Sequence, residues 1–92
     1  MEFDIVCIVS GSQTDGRMAA FKEREPPQSG PPLHAHRNQT EVFHVISGRF
    51  LFHCDGKQTE LGAGDSIVVP VGAAHTFKNV GSETGVLHFD LL

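Results

Sequence analysis

Clusters of turn-forming residues divide the 92-residue chain into short β-prone runs, and no run has the apolar periodicity of a helix. Asp55-Gly56 is the strongest of these turns and predicts a tight hairpin. Many short strands joined by tight turns are typical of a β-sandwich, a jelly roll or a small barrel. The runs predicted as strands are residues 3–9, 18–25, 33–36, 41–46, 50–54, 57–61, 66–69, 75–79 and 84–91.

The length and the charge of the chain limit the number of domains and the kinds of partner that it can have. Residues 1–92 suit one small domain, which buries only about 60–65% of its unfolded surface. Seven Lys and Arg against eleven Asp and Glu give a net charge of −4, without a basic cluster that would bind nucleic acid. The apolar run at residues 5–9 is too short for a signal peptide or a membrane span, so we expect a cytoplasmic protein without membrane attachment.

The two cysteines, Cys7 and Cys54, lie far apart and lack the spacing of a metal knuckle or a redox pair. In a reducing compartment the simplest expectation for both is a buried free thiol.

Three predicted strands, residues 42–46, 67–69 and 86–91, are apolar on both faces or nearly so. An antiparallel sheet with one wet face would instead alternate polar and apolar side chains. A second copy of the chain is the simplest cover for an apolar outer face. The sequence therefore predicts a homodimer that packs sheet against sheet.

Three of the six histidines stand with one glutamate at a spacing that suits a metal ion. His34 and His36 are two residues apart, so their side chains leave the same face of an extended segment. Glu41 begins the next strand after a four-residue gap, and His75 follows a Pro-x-Gly turn. Three imidazoles and one carboxylate suit one divalent ion: Fe(II), Mn(II), Ni(II), Co(II), Zn(II) or Cu(II).

Two segments that contain these ligands resemble the two motifs of the cupin family. Residues 30–48 read GPPLHAHRNQTEVFHVISG, in which three residues rather than the family's five separate the first glycine from the first histidine. Residues 64–79 read GDSIVVPVGAAHTFKN and match the second motif, G-x5-P-x-G-x2-H-x3-N, at every position. The resemblance implies a single small double-stranded β-helix, or jelly-roll barrel, with a metal ion held by His34, His36, Glu41 and His75.

The resemblance also implies chemistry at that ion. Four protein ligands leave one or two coordination positions for water, a small organic substrate or dioxygen. Dioxygenases of the quercetinase and acireductone type are cupins of this kind, and in such an enzyme Glu41 could leave the metal and serve as the general base. A dioxygenase-like oxidoreductase is therefore the first hypothesis. A non-catalytic protein that binds small molecules or metal, and a Lewis-acid isomerase or decarboxylase, remain alternatives.

Composition narrows these alternatives. The chain has neither Tyr nor Trp, which excludes mechanisms that use a phenol as acid or base. Its Lys and Arg residues are scattered, which argues against a site that clamps a phosphate.

Strand parity assigns several further side chains to a face of the sheet. If Glu41 points inward, Phe43 points inward as well, and His44 points to the opposite face, where we expect an interface residue. The parity of His88 is not fixed by the sequence, so this residue faces either the metal ligands or the outer surface.

Four phenylalanines are candidates for an apolar pocket beside the metal. Phe50 and Phe52 share one face of their strand, and Phe77 shares a face with His75. Small-ligand pockets are usually lined by such side chains, although the same residues would also fill the interior of a small barrel. The candidate substrate-binding residues are Phe43, Phe50, Phe52 and Phe77.

Overall fold

The computed structural model describes residues 4–92 and contains eight β-strands and one short 3-10 helix, Gly11–Thr14. The prediction of an all-β fold is confirmed. In the described part of the chain no helix is long and apolar enough to cross a membrane. Residue 3, at the start of the first predicted strand, lies outside the described residues. The strands are β1 (Asp4–Val9), β2 (Ala19–Glu25), β3 (Glu41–Ser47), β4 (Arg49–Cys54), β5 (Lys57–Gly62), β6 (Ser66–Val69), β7 (His75–Asn79) and β8 (Gly85–Leu91).

The strands form two antiparallel sheets. The larger sheet has the order β1-β2-β8-β3-β6, and the smaller sheet has the order β5-β4-β7. The predicted hairpin joins β4 to β5, where Cys54 pairs with Lys57 and both turn residues, Asp55 and Gly56, have positive φ angles of 49° and 79°. These angles are those of a type I′ turn, whose twist matches the twist of the two strands.

The hydrophobic core lies between the two sheets. On β3 the side chains of Glu41, Phe43 and Val45 are buried, and on β4 those of Phe50 and Phe52 are buried, as strand parity predicted. Fully burying one such aromatic side chain contributes about 1.5–3 kcal/mol. The buried core cluster consists of Phe43, Val45, Phe50, Phe52, Leu61, Val69, Ala73, Phe77 and Leu87.

The predicted strand at residues 33–36 is wrong. In this segment only His34 pairs, through an isolated antiparallel bridge to His75. The preceding Pro31 and Pro32 have no N–H to donate, so a continuous ladder cannot form there. The loop before them nevertheless docks along β7, and a Cβ on Gly30 would lie 1.8 Å from the carbonyl oxygen of Phe77.

The outer face of the five-stranded sheet is partly apolar in this single chain. Ile46 is 56% exposed and Val68 is 59% exposed, while Val42 and Val86 are half-buried. The apolar outer face that the sequence predicted is thus present, and the predicted homodimer that would cover it remains a prediction.

The cysteines differ from the expectation at one position. Cys7 is an exposed free thiol on β1, so the prediction that it is buried is wrong. The reason is that β1 forms the edge of its sheet and packs on β2 alone. Cys54 is a half-buried free thiol, and burial raises its pKa, with a smaller contribution from the charge of Asp55.

Candidate metal centre

The fold brings together the four side chains that the spacing singled out. One potential ligand atom from each of His34, His36, Glu41 and His75 lies within 4.8 Å of the others. Oε1 of Glu41 lies 2.9 Å from Nε2 of His75 and 3.2 Å from Nε2 of His36. Glu41 and His75 are buried, whereas His34 and His36 are half-buried, so the group spans from the core to the surface.

Backbone pairing holds each of these residues in place. Glu41 begins β3, which lies between β8 and β6 in the larger sheet. His75 begins β7 in the smaller sheet, and its backbone exchanges two hydrogen bonds with His34, with N···O distances of 2.8 and 3.1 Å. The N–H of Gly72 donates to the carbonyl of His36 at 2.9 Å, which ties the two-histidine segment to the turn before β7. Two sheets and one loop therefore meet at the four side chains.

The hydrogen bonds of the rings show that the donor set fits a cation. Nδ1 of His34 lies 2.8 Å from the carbonyl oxygen of Pro32, and Nδ1 of His75 lies 2.9 Å from that of Ala73. A carbonyl cannot donate, so each Nδ1 carries the hydrogen, and Nε2 of the neutral ring presents a lone pair. The 2.9 Å contact between Nε2 of His75 and the carboxylate of Glu41 then needs a cation or a second proton on the ring. A backbone partner on the other ring nitrogen is the usual arrangement of metal-binding histidines.

A cavity of about 200 Å³ opens beside the group. Its polar part includes His34, His36 and Glu41, and the fully buried His75 lies close to them. The rest of the wall is mainly apolar and includes Phe43, Phe77, Phe89 and Leu91. A larger open groove of about 470 Å³ lies over β1 and β2, but none of the four potential ligands lines it.

Two of the four candidate pocket phenylalanines line this cavity. Phe43 and Phe77 form part of its wall, with ring centroids 5.5 Å apart. Phe50 and Phe52 lie in the core, where each packs against Phe77. Phe89, which the sequence did not single out, packs against Phe43 with a tilted ring, at a centroid distance of 5.6 Å, and completes the aromatic wall.

Glu23 is the functional candidate that the sequence reasoning missed. Glu23 lies on β2, is only 6% exposed, and lines the cavity together with Glu41. Burial raises the pKa of Glu23 to about 9, and the neighbouring carboxyl groups of Glu25 and Glu41 add to the effect. The carboxyl group is therefore neutral at pH 7 and adds a polar group without charge to the cavity. The alternation in Lys22–Glu23–Arg24–Glu25, with glutamates on one face, was the signal that could have revealed it.

Strand parity predicted an outward direction for His44 and left the face of His88 undetermined. His44 lies on the outer face of β3, as predicted. His88 pairs directly with His44 across β3 and β8, and directly paired residues share a face, so His88 also lies on the outer face and away from the metal group.

Known proteins similar to this chain include curated relatives in sequence and solved structures of the same fold. An oxalate-binding protein of Thermotoga maritima is 33% identical over 57 residues, which are 62% of this chain and 47% of that protein. The quercetin 2,3-dioxygenase of Bacillus subtilis is 25% identical over 71 residues, which are 77% of this chain and 21% of the enzyme. The chain thus matches less than half the length of either curated relative.

A crystal structure from Thermotoga maritima, described as a predicted oxalate decarboxylase, has a TM-score of 0.95. Its alignment covers 100% of this chain and 81% of that one at 22% identity, which shows a common fold. The family model described as the cupin domain matches residues 21–90, a span that contains both motifs and all four potential metal ligands. The chain therefore belongs to the cupin family.

Proposed function

We propose that this cupin binds a divalent metal ion through His34, His36, Glu41 and His75 and uses it to bind a small organic acid. The observation that supports this most is the convergence of the four donors beside a mainly apolar cavity. Such a donor set leaves coordination positions open, and an open position distinguishes a working metal centre from a closed structural one.

The charge of the pocket favours an anionic ligand. The three imidazoles are neutral when they bind a metal, and Glu41 contributes one negative charge. A divalent ion then leaves one positive charge at the centre. In the metal-free protein, burial and the neighbouring carboxyl groups of Glu25 and Glu41 raise the pKa of Glu23 to about 9, so this carboxyl group brings no negative charge to the cavity before the ion binds. A carboxylate or an enolate on the ligand would balance this positive charge, which is partly shielded from water by the apolar wall of the cavity.

The size of the cavity favours a compact ligand. Its volume of about 200 Å³ is below the roughly 300–1,000 Å³ typical of pockets for drug-sized molecules. The rings of Phe43, Phe77 and Phe89 would contact the apolar part of such a ligand. We therefore propose an acid or enolisable carbonyl compound of a few carbon atoms rather than a flavonol.

The reaction that we propose is an oxidation by dioxygen, as in the Bacillus subtilis relative named quercetin 2,3-dioxygenase. A bound redox-active ion would supply the activation of dioxygen in this pocket. Glu41 would leave the ion and serve as the general base, since it is 4% exposed and lines the cavity. The aromatic wall would exclude bulk water while the proton is transferred.

A second candidate function is binding without turnover. The Thermotoga maritima relative is named an oxalate-binding protein, and it shares a higher identity with this chain than the dioxygenase does. In that case the same four residues would hold the ion, and the open positions would take a small carboxylate that is not converted.

Metal analysis and oxygen uptake distinguish the two candidates. The purified protein is loaded separately with Fe(II), Mn(II) and Ni(II), and oxygen consumption is measured with small dicarboxylates, 2-oxo acids, diketones and a flavonol. Uptake that requires a small acid or enolisable substrate and is lost in His75→Ala supports the dioxygenase. Carboxylate binding by calorimetry without uptake supports the binding protein. Absence of both metal and ligand binding contradicts the proposal, and His53→Ala, outside the centre, is the matched control.

We also propose, as the sequence predicted, that the chain forms a homodimer through the outer face of the larger sheet. The exposed side chains of Ile46 and Val68 support this, because apolar surface on an antiparallel sheet gains free energy when it is covered. A sedimentation mass of one chain at micromolar concentration would contradict it.

A further inference from the structure

We propose that the outer face of the five-stranded sheet carries a second divalent-metal site, formed by His44, His88 and Asp90. It lies on the opposite face of β3 from Glu41, on the face through which we propose that two chains associate, and it does not depend on the inner metal centre. Two imidazoles and one carboxylate are the ligands of a transition metal of borderline softness, such as Zn(II), Ni(II), Co(II) or Cu(II).

The register of the sheet creates this group. His44 on β3 pairs directly with His88 on β8, and their ring centroids are 5.6 Å apart. Asp90 follows His88 by two residues, so its side chain leaves the same face. Oδ1 of Asp90 lies 3.0 Å from Nε2 of His88, and Oδ2 lies 3.6 Å from Nε2 of His44. The Nε2 atoms of both rings thus point toward one carboxylate.

Ser66 orients one of these rings. It pairs with His44 across β3 and β6, and its Oγ lies 2.7 Å from Nδ1 of His44. A hydrogen-bond partner on the nitrogen that does not bind metal fixes the rotation of a ligating imidazole. Here the contact with Ser66 holds Nε2 of His44 toward Asp90.

In the single chain, the three side chains are accessible to an ion in solution. The side chains of His44 and His88 are 41% and 35% exposed, and that of Asp90 is 22% exposed. Among residues 4–92, the ion-pair partners of the Asp90 carboxylate are these two histidines. Lys22 pairs directly with His88 across β2 and β8, but among the described residues it makes no ion pair with Asp90.

The ion pairs among His44, His88 and Asp90 add little to the free energy of unfolding. Partly exposed pairs of this kind typically contribute only about 0–1 kcal/mol. The cluster nevertheless lies on a face that also carries the exposed apolar side chains of Ile46 and Val68. A chelating role is a more specific account of two imidazoles that both contact one carboxylate.

Zinc titration by calorimetry tests the second site. We expect two equivalents in the wild-type protein, one in the double variant His34→Ala/His36→Ala, and none when His88→Ala is added to that background. His53→Ala is the matched control, a half-buried histidine on the smaller sheet, and it should leave the stoichiometry unchanged. Ser66→Ala should weaken the second equivalent about tenfold or more, as loss of an orienting partner typically does.

Several results would overturn the proposal. One equivalent in the wild-type protein that disappears in His34→Ala/His36→Ala would leave the inner centre as the sole metal site. Equal effects of His88→Ala and His53→Ala would indicate unspecific binding to histidine. Circular dichroism checks that each variant is folded. If His88→Ala does not fold, Asp90→Asn, which keeps the shape of the side chain, replaces it and should also abolish the second equivalent.

Discussion

Replacing Glu23 by glutamine should stabilise the protein in a way that depends on pH. Glu23 is 6% exposed beside the cavity, and burial raises its pKa from 4.5 to about 9. At pH 7 the folded protein therefore holds a neutral carboxyl group, whereas the unfolded chain holds a carboxylate. Folding must take up a proton, and Glu23→Gln removes that requirement while it keeps the size of the side chain.

The sign and the magnitude follow from the two pKa values. Below pH 4.5 both states of the wild-type protein are protonated at Glu23, and the effect is absent. Between pH 4.5 and about 9 only the unfolded state is charged, so wild-type stability falls by about 1.4 kcal/mol per pH unit. Over the interval from 4.5 to 7 this amounts to about 3 kcal/mol, which is the upper value for the stabilisation by Glu23→Gln at pH 7.

Urea unfolding of the metal-free proteins measures this difference. Both proteins are unfolded in the presence of a chelator at several pH values from about 5 to 8. Ionisable groups that do not interact with Glu23 contribute equally in both proteins, so their contribution cancels and the difference reports Glu23 together with its neighbour Glu25. The exposed Glu83→Gln is the matched control and should show no trend. A difference between wild type and Glu23→Gln that stays constant with pH, or that favours the wild type at pH 8, would refute the reasoning.

Three further predictions concern the metal, the loop and the core. Bound metal should dissociate as the pH falls below about 6, because protons compete with the ion for the imidazole nitrogens; metal retained after dialysis at pH 4 would contradict histidine ligation. Gly30→Ala should cost about 2–4 kcal/mol in urea unfolding, since its Cβ would clash with the Phe77 carbonyl, whereas Gly11→Ala, which has free space, should change stability by less than about 0.5 kcal/mol. Phe50→Ala should cost about 3–5 kcal/mol by thermal unfolding, and a smaller loss would place Phe50 outside the tightly packed core.

The strand faces were predictable because they follow from local periodicity, and the ligand group was predictable because the two motifs resemble those of the cupin family. Side chains alternate along a strand, so placing Glu41 inward also placed Phe43 inward and His44 outward. The two-residue spacing of His34 and His36 predicted their common direction even though the segment is not a strand. A single bridge to His75 is enough to extend the chain at that point.

The features that the sequence predicted wrongly, missed or left open depend on contacts between distant parts of the chain. The exposure of Cys7 depends on β1 being an edge strand, and strand order is not encoded locally. Glu23 joins the cavity because β2 pairs with β8, whose Phe89 and Leu91 also line it. The outward direction of His88 likewise follows from its pairing with His44 across two strands that are distant in sequence.

The most direct test of the metal centre is a crystal structure of the zinc-loaded protein with anomalous diffraction at the zinc edge. We expect an anomalous peak at about 2.0–2.2 Å from Nε2 of His34, His36 and His75 and from a carboxylate oxygen of Glu41. A folded protein without an anomalous peak among these four side chains, at saturating zinc, would contradict the assignment of a metal site to this cupin.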